Sequence, residues 1–146
     1  MHKKSKNTII RTIAFLLVMI FVLPMSVSAS VQPRASHYLS AYQAYVYLPG
    51  NGEVRVYFNV NGTDYMDELG ALSIKIYEST DGASWTWKKT FTHDSTPGML
   101  SYNDDYHSGY VSYNGVAGRY YKAYVCIWGG KDGDGDTRYF YTSAKH

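Results

Sequence analysis

Three aspartates spaced two residues apart near the C-terminus form a pattern that suits a metal ion. Asp132, Asp134 and Asp136 give a D-x-D-x-D run, and alternating carboxylates at this spacing begin a calcium loop, where they converge on a hard cation. The later loop positions do not fit, because Thr137 stands where Gly is needed and Ser143 where Glu is needed. A solvated loop between the last two strands and a weak extracellular calcium site both stay open. No cofactor is predicted.

Side chains that suit acid–base or nucleophilic catalysis occur in loops without a recognised motif. His93, Asp94 and Ser95 are consecutive, and His107 follows a pair of aspartates. None of them stands in a context such as G-x-S-x-G, and the histidines after the leader lack metal-ligand spacing. The sequence therefore predicts a protein that is not an enzyme, with a small hydrolase using these loop residues as an alternative.

The chain holds 16 Tyr against 3 Trp and 5 Phe, and strand phase predicts that several aromatic residues share one side of a sheet. The three predicted strands that carry them are expected to lie side by side in one sheet. An exposed aromatic face can hold a ligand, since ring and hydroxyl serve different partners. The alternative is aromatic pairing that only stabilises the sheet, and a register slip would invert the assignment. The candidate ligand-binding residues are Tyr77, Tyr120, Tyr124, Trp128 and Tyr139.

The segment Ser79–Trp85, S-T-D-G-A-S-W, resembles the Asp-box of sialidase-type hairpins, S-x-D-x-G-x-T-W, except that Gly directly follows Asp. In both, Asp and Gly close a tight turn and Trp packs beneath it. We expect a hairpin turn at Asp81-Gly82, with a glycan contact as the alternative.

The elements that position these residues are strands, because alternating segments separated by Gly-rich turns cover the chain after about Ser36. In Glu53–Asn61, for example, Val54, Val56 and alternate residues after them face one way, and the intervening polar and aromatic residues face the other. Pro49–Gly52 is a predicted turn, and Thr92–Asp105 is predicted to be a crossing loop with a short strand. We predict an all-β fold, a two-sheet antiparallel β-sandwich of about seven strands. Its strands are Tyr38–Leu48, Glu53–Asn61, one around Leu72–Tyr77, Ser84–Thr92, Gly109–Asn114, Arg119–Trp128 and Thr137–Ser143.

The run G-V-A-G-R-Y-Y-K-A-Y-V, Gly115–Val125, resembles the turn and sixth strand of an immunoglobulin-like or fibronectin-like sandwich. That resemblance implies a tyrosine corner, in which the hydroxyl of Tyr121 bonds back to the preceding turn. Tyr121 shares its inward phase with Ala123, Val125 and Ile127. Ala123 stands where antibody domains have Cys, so the inter-sheet disulfide is missing.

The N-terminus carries the three parts of a secretory signal: a basic start, an apolar run over residues 12–23 and small residues before a cleavage site. The apolar run is short of the ~20 residues of a spanning helix, although a retained anchor stays an alternative. We place the cleavage after Ala29, with Ala35 as the second choice. The predicted segments are a signal peptide at 1–29, a short tail at 30–36 and a single domain at 37–146.

Removing the leader changes the charge, because four of the 14 basic residues precede Ser30. Ten Lys and Arg then face 12 Asp and Glu, a net charge of −2, which argues against nucleic acid and anionic lipid as partners. The single Cys126 cannot form an intramolecular disulfide. It falls in the outward phase of its strand. Because it is unpaired, it could link two chains after export, and the aromatic face could equally be a homodimer surface.

The segments YMDELGALSIKIYESTDGASWTW, HDSTPGM and GVAGRYYKAYV resemble a group of small secreted single-domain proteins of Gram-positive bacteria. The group has no assigned activity, so the resemblance implies secretion and a fold but no site residue. We predict an extracellular binding module without stable membrane insertion, whose partner is a glycan, a cell-wall polymer or a protein. The alternative of another class is a secreted antagonist or toxin-like protein.

Overall fold

The structure, a computed structural model, describes residues 36–146. The predicted leader, both predicted cleavage positions and most of the predicted tail lie outside the described residues. Every regular element in the described part is a strand, as the alternating pattern predicts. The strands are β1 (Leu39–Gly50), β2 (Glu53–Ser79), β3 (Thr86–Thr92), β4 (Leu100–Asn114), β5 (Tyr120–Lys131) and β6 (Asp134–Tyr141).

The described residues hold six strands rather than about seven, because two predicted strands are parts of one. Strand β2 runs unbroken for 27 residues, and its ladders change register between Asn61 and Met66 and between Ala71 and Ser73. Irregularities of this kind bend a strand without ending its hydrogen bonding. Strand β4 begins at Leu100, inside Thr92–Asp105, the stretch predicted to be a crossing loop with a short strand.

All strand pairs are antiparallel and belong to one hydrogen-bonded sheet with the path β1-β2-β5-β6. The first half of β2 lies between β1 and β4, whereas its second half has β5 on one side and β3 with the start of β4 on the other. Because β2 changes neighbours along its length, the same strand carries two separate outward surfaces.

One side of the sheet encloses a single hydrophobic core. Val54, Val56, Phe58 and Val60 are buried, which confirms their predicted inward phase. The alternation of Leu72, Ile74 and Ile76 predicts one inward side for the second half of β2, but Leu72 is only half-buried. The register shift between Ala71 and Ser73 places Ala71, Ile74 and Ile76 in the core instead. The remaining buried residues come from every strand except β6, whose half-buried Phe140 packs against the core. They include Leu39, Val46, Phe91, Val111, Ala123, Val125 and Ile127.

Two tight turns fix the register of the hairpins at either end of the path. Asn51 and Gly52 have φ angles of 53° and 81°, and Asp132 and Gly133 have φ angles of 56° and 80°. Two successive positive φ angles define the type I′ turn that suits strand twist and favours Asn-Gly and Asp-Gly. The turn predicted at Pro49–Gly52 is thus confirmed, while the predicted Asp132–Asp136 loop is a two-residue turn followed by β6.

The hydroxyl of Tyr121 bonds back to the preceding turn, as predicted. It accepts the backbone N–H of Val116 at 2.6 Å and donates to the Oε2 of Glu78 at 2.6 Å. Burial, followed by the hydrogen bond to Glu78, raises the pKa of Tyr121 to about 12, so the hydroxyl keeps its proton. Glu78 also pairs with Lys88 at 3.1 Å. The corner therefore joins β5, the loop before it and β2.

The hairpin predicted at Asp81-Gly82 joins β2 to β3 and is organised by the Asp81 carboxylate. That carboxylate accepts the backbone N–H groups of Ala83 and Ser84, both at 2.8 Å, and the hydroxyl of Ser79 at 2.8 Å. The N–H of Ser84, then that of Ala83, lowers the pKa of Asp81 to about 2. All three of these hydrogen bonds are accepted by Oδ1, so the Asp81 side chain holds the turn together.

Candidate functional site: two tyrosine-rich faces

The outward side of β2, β5 and β6 carries a cluster of tyrosines, which we call the β5–β6 face and define by Tyr77, Lys122, Tyr124, Tyr139 and Tyr141. The Tyr124 ring lies 6.0 Å from that of Tyr139 and 4.7 Å from that of Tyr141 between centroids. Tyr77 lies 6.1 Å from Tyr141. Tyr139 is 62% exposed and Tyr141 54%. The predicted side of the sheet is therefore aromatic and open to solvent.

Positive charge lies within this face. The Nζ of Lys122 is 4.3 Å from the ring centroid of Trp85 and 4.8 Å from that of Tyr141, both cation–π distances. Lys75 is the cross-strand partner of Tyr124, and its buried neighbours Ile74 and Ile76 place it on the outward side. The face thus combines aromatic rings, phenol hydroxyls and two ammonium groups.

Two of the five predicted ligand-binding residues contact other groups. Tyr120 stacks on His146 at 4.2 Å between centroids. Trp128, near the other end of β5, donates its Nε1 hydrogen to Glu68 Oε2 at 3.2 Å and lies against Gly130 and Gly135. The structure brings Tyr77, Tyr124 and Tyr139 together and adds Tyr141, which lies two residues after Tyr139 on β6.

Cys126 has the predicted outward phase but is covered, with only 5% of its surface exposed. Burial raises the pKa of its thiol, against a smaller lowering by the hydrogen bond with Tyr139. A covered thiol with a raised pKa is a poor nucleophile. The link between two chains through the unpaired Cys126 stays a prediction.

The structure shows a second aromatic surface that the sequence analysis did not identify. We call it the β1–β2–β4 face, and its centre is a ladder of Tyr45, Tyr57 and Tyr110, one from each strand. The Tyr57 ring lies 5.3 Å from Tyr45 with an interplanar angle of 12°, and 5.1 Å from Tyr110 at 33°. Tyr47 meets the edge of Tyr57 at 6.2 Å. The signal was present in the alternation of Glu53–Asn61, which places Tyr57 outward.

A groove of about 440 Å³ runs beside this ladder. Tyr45, Tyr57 and Tyr110 line one side, Tyr106 the other, and Asn59 with Ser108 lies between them. Asn59 and Ser108 are cross-strand partners, and their short side chains leave the space that the larger rings surround.

The three aspartates of the calcium pattern contact separate protein groups, two through their carboxylates and Asp132 through its backbone N–H, which donates to Asp67 Oδ2 at 2.7 Å. Asp136 accepts the hydroxyl of Ser36 and the N–H of His37, while Asp134 accepts the hydroxyl of Tyr38. Within residues 36–146 no group of three or more His, Cys, Asp or Glu residues is arranged to hold a metal ion. The carboxylates instead fasten the start of β1 to β6.

The histidine candidates of the alternative hydrolase also have local partners. The Nε2 of His107 lies 2.9 Å from the carbonyl oxygen of Gly98, and its ring lies 5.6 Å from that of Phe58. His93 Nδ1 lies 3.6 Å from Asp94, whereas Ser95 bonds to Thr92. The structure therefore does not bring His93, Asp94 and Ser95 together as a hydrogen-bonded relay.

No family of known proteins, no curated protein and no solved structure matches this chain. Within the described range, no helix is long and apolar enough to cross a membrane.

Proposed function

We propose that the protein is a secreted, non-catalytic binding module whose β5–β6 face binds an extracellular glycan or cell-wall polymer. The observation that carries the proposal is the solvent-open cluster of Tyr77, Tyr124, Tyr139 and Tyr141 around Lys122. Aromatic residues with exposed rings and hydroxyls can contact both the apolar and the polar parts of a sugar.

The charges of this face favour an acidic polymer. Lys75 and Lys122 carry ammonium groups among the tyrosine hydroxyls, and an ammonium group attracts carboxylate or phosphate groups. Since the chain without its leader has a net charge of −2, the attraction is local to the face and decreases as salt rises.

The remaining parts of the proposal concern the fold type and the location. The bonded Tyr121 corner and the core enclosed by one side of the sheet support a sandwich of the immunoglobulin type. The signal-like residues 1–29 support secretion by the pathway expected for a Gram-positive bacterium. The group of small secreted proteins that the sequence resembles is consistent with both.

The test is a pull-down of the purified protein with cell walls and with acidic and neutral polysaccharides at low and high salt. We expect binding that the variant Tyr124→Ala with Tyr139→Ala loses. Tyr65→Ala is the matched control, because Tyr65 is 62% exposed and lies outside both faces. Binding to the acidic polysaccharide that the double variant retains would refute the face as the contact site.

A binding defect must be separated from a folding defect, so circular dichroism and urea unfolding accompany each variant. Growth inhibition of other bacteria by the wild-type protein would favour the antagonist instead. Turnover of ester or glycoside substrates that His107→Ala abolishes would favour a hydrolase.

A further inference from the structure

We propose that the groove of the β1–β2–β4 face is a separate binding site for a short segment of an uncharged oligosaccharide. In this site Tyr106 stacks on a sugar ring, and Asn59 and Ser108 hydrogen-bond to the sugar hydroxyls. The inference goes beyond the proposed function, because it concerns a different surface and a neutral ligand.

The register of three strands builds the groove from parallel rows of side chains. Tyr57 stands between Tyr45 and Tyr110, and two residues further along β2, Asn59 stands opposite Ser108. Tyr106 begins the next row on β4. A row of short polar side chains therefore lies between aromatic residues on both sides, and the volume of about 440 Å³ falls within the range of small-molecule pockets.

The floor of the groove has unused hydrogen-bonding capacity. In the part of the chain that the structure describes, neither the Asn59 amide nor the Ser108 hydroxyl has a side-chain hydrogen bond to another residue. An amide offers two donors and an acceptor, and a hydroxyl offers one donor with two acceptor positions. Such mixed groups match the hydroxyls of a sugar, each of which both donates and accepts.

The two walls of the groove differ in what they offer to a ligand. Both faces of the Tyr57 ring are occupied by Tyr45 and Tyr110, so the ladder presents ring edges and hydroxyls. Tyr106 is 49% exposed and has no aromatic ring partner among residues 36–146. Its free ring face is available for the apolar C–H face of a sugar.

The charge of the groove selects a neutral ligand. None of its eight lining residues is ionisable at neutral pH except by loss of a tyrosine proton. Arg55, which lies over the Tyr110 ring at 5.6 Å, is paired with Glu53 at 2.7 Å. An anionic ligand would therefore meet no free positive group here, in contrast to the β5–β6 face.

The experiment titrates the purified protein with neutral oligosaccharides of glucose, mannose, galactose and xylose. Binding is followed by calorimetry and by the side-chain amide signal of Asn59 in NMR spectra. We expect at least one oligosaccharide to shift that signal, and Tyr106→Ala to weaken binding about tenfold or more. Tyr102→Ala, on the same strand and 64% exposed but outside the groove, should change the affinity less than about twofold.

A second variant, Ser108→Tyr, fills the groove without removing an aromatic residue and should abolish binding. This variant tests the groove even if Tyr106→Ala fails to fold. Absence of any Asn59 shift, or binding that Ser108→Tyr leaves intact, would overturn the proposal. The variant Tyr124→Ala with Tyr139→Ala should bind the neutral oligosaccharide normally. If that variant loses it, the sugar binds to the β5–β6 face, and the groove is excluded while the proposed function stands.

Discussion

Removing the hydroxyl of Tyr121 tests whether the tyrosine corner stabilises the fold. In Tyr121→Phe the ring stays in the core, while the bonds to the Val116 N–H and to Glu78 are lost. A neutral hydrogen bond contributes about 1 kcal/mol, and one to a charged group about 1.5–3 kcal/mol. Because Glu78 keeps its ion pair with Lys88, the lower part of that sum applies. We expect a loss of about 2–3 kcal/mol in the free energy of unfolding.

The assay is urea unfolding at pH 7, followed by circular dichroism, with thermal unfolding as a second measure. For a domain of this size the expected loss lowers Tm by about 8–15 °C. Tyr113→Phe is the matched control, since Tyr113 packs against the core and its hydroxyl makes no side-chain hydrogen bond within the described residues. That control should change stability by less than about 0.5 kcal/mol.

The two outcomes lead to different conclusions about the corner. If Tyr121→Phe is no more destabilising than Tyr113→Phe, the hydroxyl is replaced by water at no cost, and the reasoning from buried hydrogen bonds is refuted. If Tyr121→Phe is more destabilising than the control, a double-mutant cycle with Glu78→Gln measures how much of the loss belongs to the bond between Tyr121 and Glu78. A coupling near zero would assign the loss to the Val116 bond.

Two further predictions concern local features of the fold. The N–H groups of Ser84 and Ala83 lower the pKa of Asp81 to about 2. Its ionised form therefore adds stability above pH 4, and this stability is lost as the pH falls towards 2. Unfolding measured over this acid range should show the loss in the wild type and not in Asp81→Asn, and identical pH profiles of the two proteins would disprove it. A Cβ on Gly130 would lie 2.5 Å from Cζ2 of Trp128. Gly130→Ala should therefore lower the free energy of unfolding by about 1–3 kcal/mol, measured by urea unfolding. In a Trp128→Ala background, most of that loss should disappear.

The strands were predictable because alternation is a local property of the sequence. Val54, Val56, Phe58 and Val60 identify the inward side of β2 without any knowledge of its neighbours. The continuity of β2 was not predictable, since it depends on hydrogen bonds to β4 and β5 that lie far away in the sequence. Leu72 shows the limit most directly, because a shift of register there reverses which residues are buried.

The candidate site was predictable only in part, for a related reason. Phase determines the side of the sheet on which a residue lies, and it correctly grouped Tyr77, Tyr124 and Tyr139. It does not determine position along a strand, so Trp128 was grouped with them although it contacts Glu68 and two glycines. The ladder around Tyr57 needs the register of three strands at once, and periodicity alone does not provide it.

Cross-strand pairing explains part of the tyrosine content without any ligand, because each pair contributes about 0.2–1 kcal/mol to a sheet. Tyr57, with a ring on both of its faces, has this structural role, and Tyr57→Ala should mainly destabilise the fold. Cross-strand pairing does not explain Tyr106, whose exposed ring lies beside the polar side chains of Asn59 and Ser108. On the β4 side of Asn59 the chain has the small Ser108, although its β1 partner is the larger Gln43, so the space beside Tyr106 stays open. The contrast between the half-buried Tyr57 and the exposed Tyr106 therefore separates, within one face, the stabilising role of the aromatic residues from the binding role.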